Sequence, residues 1–217
     1  MKQHLIIILF VILLPCQSSA QVVWQDWEAG IDLLYLINKS RFHSLMIKKH
    51  FKKPKKNAIA SHNRAYRLRI NFNLSDESSR ANMLSQYYNF RSNSQFEIRG
   101  GLQQSNKKGK LNILYGAEVI AAYSSSYSIS YQYLQRYTTD DRLTYRTGLS
   151  IFGGASYDFT DWLRLSMETN LQGTFIMRDY ISDGSREGSP VGSVIHSYNY
   201  TTLQFIPVSF IMLSVVF

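Results

Sequence analysis

Apolar and polar residues alternate between residues 162 and 177. Apart from Thr169 the odd positions are apolar or small: Leu163, Leu165, Met167, Leu171, Gly173, Phe175 and Met177. The even positions from 164 to 174 are polar: Arg164, Ser166, Glu168, Asn170, Gln172 and Thr174. A period of two residues is typical of a β-strand with unlike faces. A soluble sheet would bury the apolar face, so the rest of the chain must decide between a soluble and a membrane protein.

The same alternation recurs along the chain. We count eight segments, at residues 27–37, 42–51, 64–74, 95–104, 110–123, 142–157, 162–177 and about 200–217. Bacterial membrane barrels have an even number of strands, and each segment reaches the roughly 9 to 11 residues that a tilted spanning strand needs. The sequence therefore predicts an all-β fold, an eight-stranded antiparallel transmembrane β-barrel, as one domain over residues 21–217.

The first 20 residues predict a cleaved secretory signal peptide, with Lys2, an apolar run over residues 5–14 and small residues up to Ala20. Cys16 is the one cysteine and leaves lipid attachment as an alternative, although Pro15 fits that processing poorly. With ordinary cleavage the mature chain has no thiol for disulfides or metal ligands. For an exported chain of net charge +9, we expect anionic lipid rather than nucleic acid as the counterpart.

The last residues place alternate apolar side chains on one face: Ile211, Leu213, Val215 and Phe217. This pattern resembles the C-terminal signal of outer-membrane β-barrel proteins of Gram-negative bacteria, which implies recognition by the barrel assembly machinery. It favours location in the bacterial outer membrane, among its lipids. After residue 14 no segment has the roughly 20 apolar residues of a spanning helix, so a membrane form must be a closed barrel. The alternative is a terminal strand of a soluble sandwich.

The connections predict an orientation. If Phe217 lies at the periplasmic end, the short turns "SNKKGK" and "DFTD" are also periplasmic, and the outer loops are residues 75–93, 124–141 and 178–199. These loops are candidate contacts for a surface ligand. A basic run, Lys48, Lys49, Lys52, Lys53, Lys55 and Lys56, is interpreted as a solvated turn, or alternatively as a patch attracted to anionic headgroups.

The inward face carries charges of both signs. The predicted lumen network consists of five acids and five arginines: Glu28, Asp32, Glu97, Glu118, Glu168, Arg67, Arg69, Arg99, Arg146 and Arg164. An eight-stranded barrel is only wide enough for its own side chains, and buried charges must be paired. Arginine suits carboxylates because its planar fork carries five donors. We expect a salt-bridged plug, with a narrow gated, porin-like ion pathway as the alternative.

The pattern over residues 22–217 resembles the small outer-membrane barrels of the OmpA and OmpX kind in strand number, lumen chemistry and final Phe. The resemblance implies a membrane-stabilising protein, an adhesin or a platform for loops, and it carries over no functional residue. The predicted function is therefore structural, or a surface interaction through the outer loops.

An enzyme is the weaker alternative. A lipid A-modifying hydrolase needs a nucleophile beside a His base, and the candidate pairs are His43 with Ser44 and His196 with Ser197. Neither pair is informative, because adjacent strand residues face opposite sides. Asp140 and Asp141 resemble the acids of outer-membrane aspartate proteases, whose barrels are longer. We find no metal-ligand spacing or nucleotide fingerprint, and predict no catalytic residue and no cofactor.

Aromatic residues suggest two further features. Trp24, Trp27 and Trp162 all fall at the predicted periplasmic boundary, where an interfacial girdle explains them. The stretch "AYSSSYSISYQYLQRY" has the Tyr and Ser content of an adaptable binding surface. Alternatively it extends two strands above the membrane as a hairpin.

Overall fold

A computed structural model describes residues 27–34, 43–51, 62–80, 88–132, 136–186 and 189–217. These residues form eight strands: β1 (Trp27–Asp32), β2 (His43–Phe51), β3 (His62–Arg80), β4 (Tyr88–Lys108), β5 (Leu111–Gln132), β6 (Arg136–Asp158), β7 (Leu163–Arg186) and β8 (Ser189–Val216). Each strand pairs antiparallel with the next, and β8 pairs with β1 to close the barrel. The predicted fold class is confirmed. In the described part of the chain, no helix is long and apolar enough to cross a membrane.

The barrel buries its polar face and exposes its apolar face. On β7, Leu171 is 37% exposed while its neighbour Gln172 is 4% exposed. On the outer surface of β5 and β6, Val119 and Leu149 are 60% and 67% exposed. Since a soluble sheet would show the opposite distribution, the outside of this barrel is chemically suited to lipid.

Aromatic side chains border the apolar outer surface. The strand register places Phe72, Phe96, Tyr123 and Tyr145 opposite one another on four successive strands. At the other end the exposed aromatic residues include Trp27, Phe51, Tyr66, Tyr157, Phe159, Trp162 and Phe217. From Tyr145 to Tyr157 a tilted strand climbs about 30 Å, close to the height of a membrane-spanning apolar band.

The strands are much longer than the alternation predicted. The predicted loops 75–93, 124–141 and 178–199 are largely strand, which corrects their assignment as loops. We call the strand segments within these ranges the hairpin arms, and their tips lie outside the described residues. The arms were missed because the alternation of apolar and polar residues weakens in them, whereas backbone pairing continues without a change of register in β5 and β6. The alternative that the stretch over residues 122–137 extends two strands as a hairpin was the better one.

The opposite ends of the strands meet in short turns. The β4–β5 turn contains Gly109 at a φ of 64°, a conformation that favours glycine. The β6–β7 turn covers residues 159–162, where the Thr160 hydroxyl accepts a hydrogen bond from the Leu163 amide at 3.0 Å. The barrel thus has a turn end and an arm end.

One irregularity in β8 shapes the interior. Opposite Glu168 and Asn170 of β7, the partners on β8 jump from Phe210 to Ile206. Pro207 lies inside this bulge, where the ladder does not require the backbone N–H that proline lacks. Phe210 borders this bulge and is fully buried inside the barrel, where it packs with Met46 and Met212.

Candidate functional site

The centre of the lumen holds two arginines and two glutamates, here called the middle layer. Arg67 binds Glu168 through both terminal nitrogens, at 3.0 and 2.7 Å, and its Nε lies 2.7 Å from Glu118. Arg69 lies 3.1 Å from Glu168 and 3.9 Å from Glu118. This bidentate, fully buried arrangement is the geometry in which guanidinium and carboxylate interact most strongly.

Aromatic rings complete the middle layer. The guanidinium carbon of Arg67 lies 3.9 Å from the ring centroid of Phe152, and that of Arg69 lies 4.0 Å from the centroid of Phe210. A cation over a ring face gains electrostatic attraction where no water is present. Charges and rings together fill the barrel at this level.

A lower layer surrounds Glu28 near the turn end. Its carboxylate lies 3.0 Å from Lys48, 3.0 Å from His50 and 2.6 Å from Arg164. The Ser214 hydroxyl donates a further hydrogen bond to it at 2.9 Å. Every described neighbour of this carboxylate is therefore a donor or a potential cation.

Arg164 connects Glu28 to the strand ends. Its Nε donates to Asp158 at 2.6 Å, and Asp158 also accepts from Lys107 at 2.8 Å. Lys107 is the second-last residue of β4 and Asp158 the last of β6, so the lower layer reaches the start of the turns.

An upper layer surrounds Glu97 toward the arm end. Glu97 accepts from Arg99 and from Asn71, both at 2.7 Å, and also binds Arg146. The three layers together place side chains from all eight strands inside the barrel.

Nine of the ten residues expected in the lumen network form these ion pairs, and Asp32 does not. Within the described residues, Asp32 accepts backbone hydrogen bonds from Leu34 at 2.9 Å and Ile211 at 3.3 Å. It therefore holds the seam between β1 and β8. The sequence reasoning missed Lys48, His50, Lys107 and Asp158.

Lys48 corrects the interpretation of the basic run as a solvated turn. It is 1% exposed inside the barrel, whereas Lys49 is exposed with its ammonium 5.1 Å from the Trp27 ring centroid. The signal was present, because Lys48 lies on the face of β2 opposite Leu45 and Ile47. The lysines at 52–56 lie outside the described residues.

The pair of adjacent lysines provides a matched test. We expect Lys48→Met to lower the free energy of unfolding by about 2 to 3 kcal/mol, because buried Glu28 loses a cation. Lys49→Met removes only an exposed cation–π contact and should cost less than about 1 kcal/mol. Urea titration in detergent micelles measures both. Equal effects would mean that the Lys48 ammonium is solvated.

The remaining predicted residues lie elsewhere. Ile211, Leu213 and Val215 lie on the outer face of β8, and Phe217 exchanges backbone hydrogen bonds with Trp27, at 2.9 and 3.0 Å. The His43 side chain lies outside the described residues.

The second candidate hydrolase pair shows no nucleophile beside a base. Ser197 donates to Asp179 at 2.8 Å on one face of β8, while His196 stacks on Tyr198 on the other. The described residues contain no group of three or more His, Cys, Asp or Glu that could hold a metal ion.

The fold and interior define a class: a closed eight-stranded β-barrel with an apolar outside and an ion-paired inside. No protein-family model matches the chain, and no curated protein matches it. Among solved structures, the ferric yersiniabactin uptake receptor FyuA from Yersinia pestis is similar, with a TM-score of 0.42 and 10% identity over 75% of this chain. The match covers 24% of the receptor, so the chain spans about a quarter of that protein. Similarity at this level carries no functional information.

Proposed function

We propose that this chain is an integral protein of the bacterial outer membrane. The support is the inverted burial of its barrel, because exposed apolar side chains such as Leu149 and Val119 would be costly in water and favourable in lipid. A closed barrel leaves no unpaired strand edge within the band bordered by aromatic rings. The short turns then face the periplasm and the hairpin arms face outward.

The lumen of this barrel is a plug, and the protein acts through structure rather than transport or catalysis. The observation that carries this proposal is the middle layer, where the side chains of Arg67, Glu118 and Glu168 are at most 1% exposed. An ion entering the lumen would have to displace bidentate ion pairs between fully buried side chains. The barrel reinforces the envelope and presents its arms to the surroundings, and it needs no cofactor.

Planar-bilayer recording tests the plug. We expect the refolded protein to insert and carry no steady current in concentrated potassium chloride, with insertion verified by heat-modifiable migration on gels. The double variant Arg67→Ser with Glu168→Ser removes the central pair without changing the net charge, and should admit brief, small currents. Asp161→Ser with Lys108→Ser is the matched control on exposed residues and should stay silent. Steady current from the unmodified protein would show a channel and contradict the proposal.

A further inference from the structure

A wall of arginine and tyrosine continues the inner face of the barrel into the hairpin arms. On β6 and β7, Arg142 lies opposite Tyr180 and Thr144 lies opposite Arg178. On β8, Tyr198 lies opposite Arg178. In the next pair toward the lumen, Tyr200 lies opposite Ile176.

These residues share the face of the buried lumen residues. Gln172 and Thr174 are buried inside the barrel and bind Gln204 and Thr202 at 3.2 and 2.8 Å. Continuing in steps of two residues along β7 leads to positions 176, 178 and 180 on the same side. The side chains there line an open cleft of about 380 Å³, formed by Arg142, Arg178, Tyr180, Tyr198 and Tyr200.

The two arginines of the cleft differ from those of the lumen. Among the described residues, no carboxylate lies within ion-pair distance of Arg142 or Arg178, whereas every lumen arginine of the three layers binds at least one. Arg142 lies 5.1 Å from the Tyr180 ring centroid, and Arg178 lies 5.8 Å from that of Tyr200.

Among the described residues, the polar contacts of the cleft leave most guanidinium donors without a hydrogen-bond acceptor. The described side-chain hydrogen bond of Arg178 runs to the Thr144 hydroxyl, at 3.4 Å. The acid on this face of β6, Asp140, accepts a hydrogen bond from the Tyr180 hydroxyl at 2.6 Å. The cleft is therefore cationic, with guanidinium forks held beside aromatic rings.

The other half of the arms offers neutral hydrogen-bonding groups. The inner face of β3, β4 and β5 continues above the upper layer with amides and hydroxyls, at Asn73, Ser75, Asn93, Gln95, Ser124 and Ser126. Asn93 donates to Ser75 at 3.5 Å, which shows that these side chains share one surface. The space between the arms, here called the vestibule, thus has one cationic and aromatic wall and one neutral wall of amides and hydroxyls. The exposed Arg91 lies at the outer edge of the neutral wall, where its Nε donates to Asn93 at 3.3 Å.

We propose that this vestibule binds an anionic saccharide. Phosphate or carboxylate groups match the planar forks of Arg142 and Arg178, which present paired donors to such oxygens. Sugar rings lie against Tyr198 and Tyr200, and their hydroxyls bond to the neutral wall. The inference rests on the proposed function for one point, the outward orientation of the arms. There they would meet saccharides, either from lipopolysaccharide of the same membrane or from an external polysaccharide.

Fluorescence anisotropy on the refolded full chain in micelles tests the inference. The two probes are a labelled, deacylated lipopolysaccharide core oligosaccharide that keeps its phosphates and a labelled alginate oligosaccharide. We expect saturable binding of at least one probe, and whichever binds more tightly identifies the source. Arg142→Gln with Arg178→Gln should weaken that binding by about tenfold or more, because charge-assisted hydrogen bonds are lost. Lys108→Gln with Lys110→Gln removes equal charge at the turn end and should leave binding unchanged.

Two further comparisons separate specific from general attraction. Removing the phosphates or carboxylates from the bound probe should weaken binding by a similar factor. Tyr198→Ala with Tyr200→Ala should weaken it, while the corresponding phenylalanine variant retains it. Absence of saturable binding, equal loss in the turn-end control, or tighter binding of a polyglutamate peptide would overturn the inference. Binding of the saccharide probe in micelles does not depend on ion conductance. A barrel that conducts ions and still binds the probe would therefore contradict the proposed plug but not the saccharide site.

Discussion

Replacing Glu168 by alanine should lower the free energy of unfolding by about 3 to 5 kcal/mol, the cost of leaving a buried charge without its partner. Arg67 would lose its bidentate contact and Arg69 its 3.1 Å contact with the same carboxylate. Glu118 would remain as the single acid for two guanidinium groups. Reversible urea unfolding in micelles, followed by tryptophan fluorescence, measures the loss.

Two variants make this expectation specific. Asp161→Ala removes an exposed acid from the β6–β7 turn and should change stability by less than about 0.5 kcal/mol. Adding Arg67→Met to Glu168→Ala removes one stranded cation and should restore part of the loss. If Glu168→Ala were as mild as Asp161→Ala, the middle layer would not be a buried ion-pair network.

Leu171→Arg should destabilise the barrel in a lipid bilayer by about 2 to 4 kcal/mol, the cost of an arginine on the lipid face near the midplane. Leu171 lies on the outer face of β7, opposite Ile151 and Phe205 on the neighbouring strands. Folding into phospholipid vesicles, titrated with guanidinium chloride, measures the difference.

The adjacent position supplies the control. Gln172 lies inside the barrel and donates to Gln204 at 3.2 Å, so Gln172→Leu should cost only about 1 to 2 kcal/mol for the lost hydrogen bond. A second variant, Leu165→Arg, places the same charge on the outer face nearer the turn end. It should destabilise the barrel less than Leu171→Arg does, because arginine costs less near the membrane interface. Equal costs at both depths would indicate that the outer face does not meet lipid.

The alternation of apolar and polar residues was enough to predict the barrel. The eight alternating segments coincide with the part of each strand that has an apolar outer face and a polar inner face. The prediction failed where that contrast weakens. In residues 124–130 of β5, five of the seven residues are serine and the outer face keeps only Tyr127 and Ile129, so the contrast between the two faces is weak. There the backbone ladder, which composition does not report, continues the sheet.

The site was predictable in its inward residues but not in their pairing. The two-residue period puts Arg67 and Glu168 on the inner face, yet these partners lie 101 residues apart in sequence and meet only across the closed barrel. Lys48 was missed because neighbouring lysines suggested a turn, and Asp158 because it ends its strand. Asp32 was expected in the ion-pair network but instead accepts hydrogen bonds from the backbone amides of Leu34 and Ile211, near the seam between β1 and β8.

We expect one face of β7 to meet lipid and the other to meet the packed interior of the barrel. The most direct measurement uses Leu171→Cys and Gln172→Cys, each in a Cys16→Ser background, with a lipophilic maleimide applied to isolated outer membranes. We expect the protein to be recovered in these membranes and to be labelled at position 171 but not at position 172. Equal labelling, labelling only at 172, or absence of the protein from outer membranes would contradict this expectation.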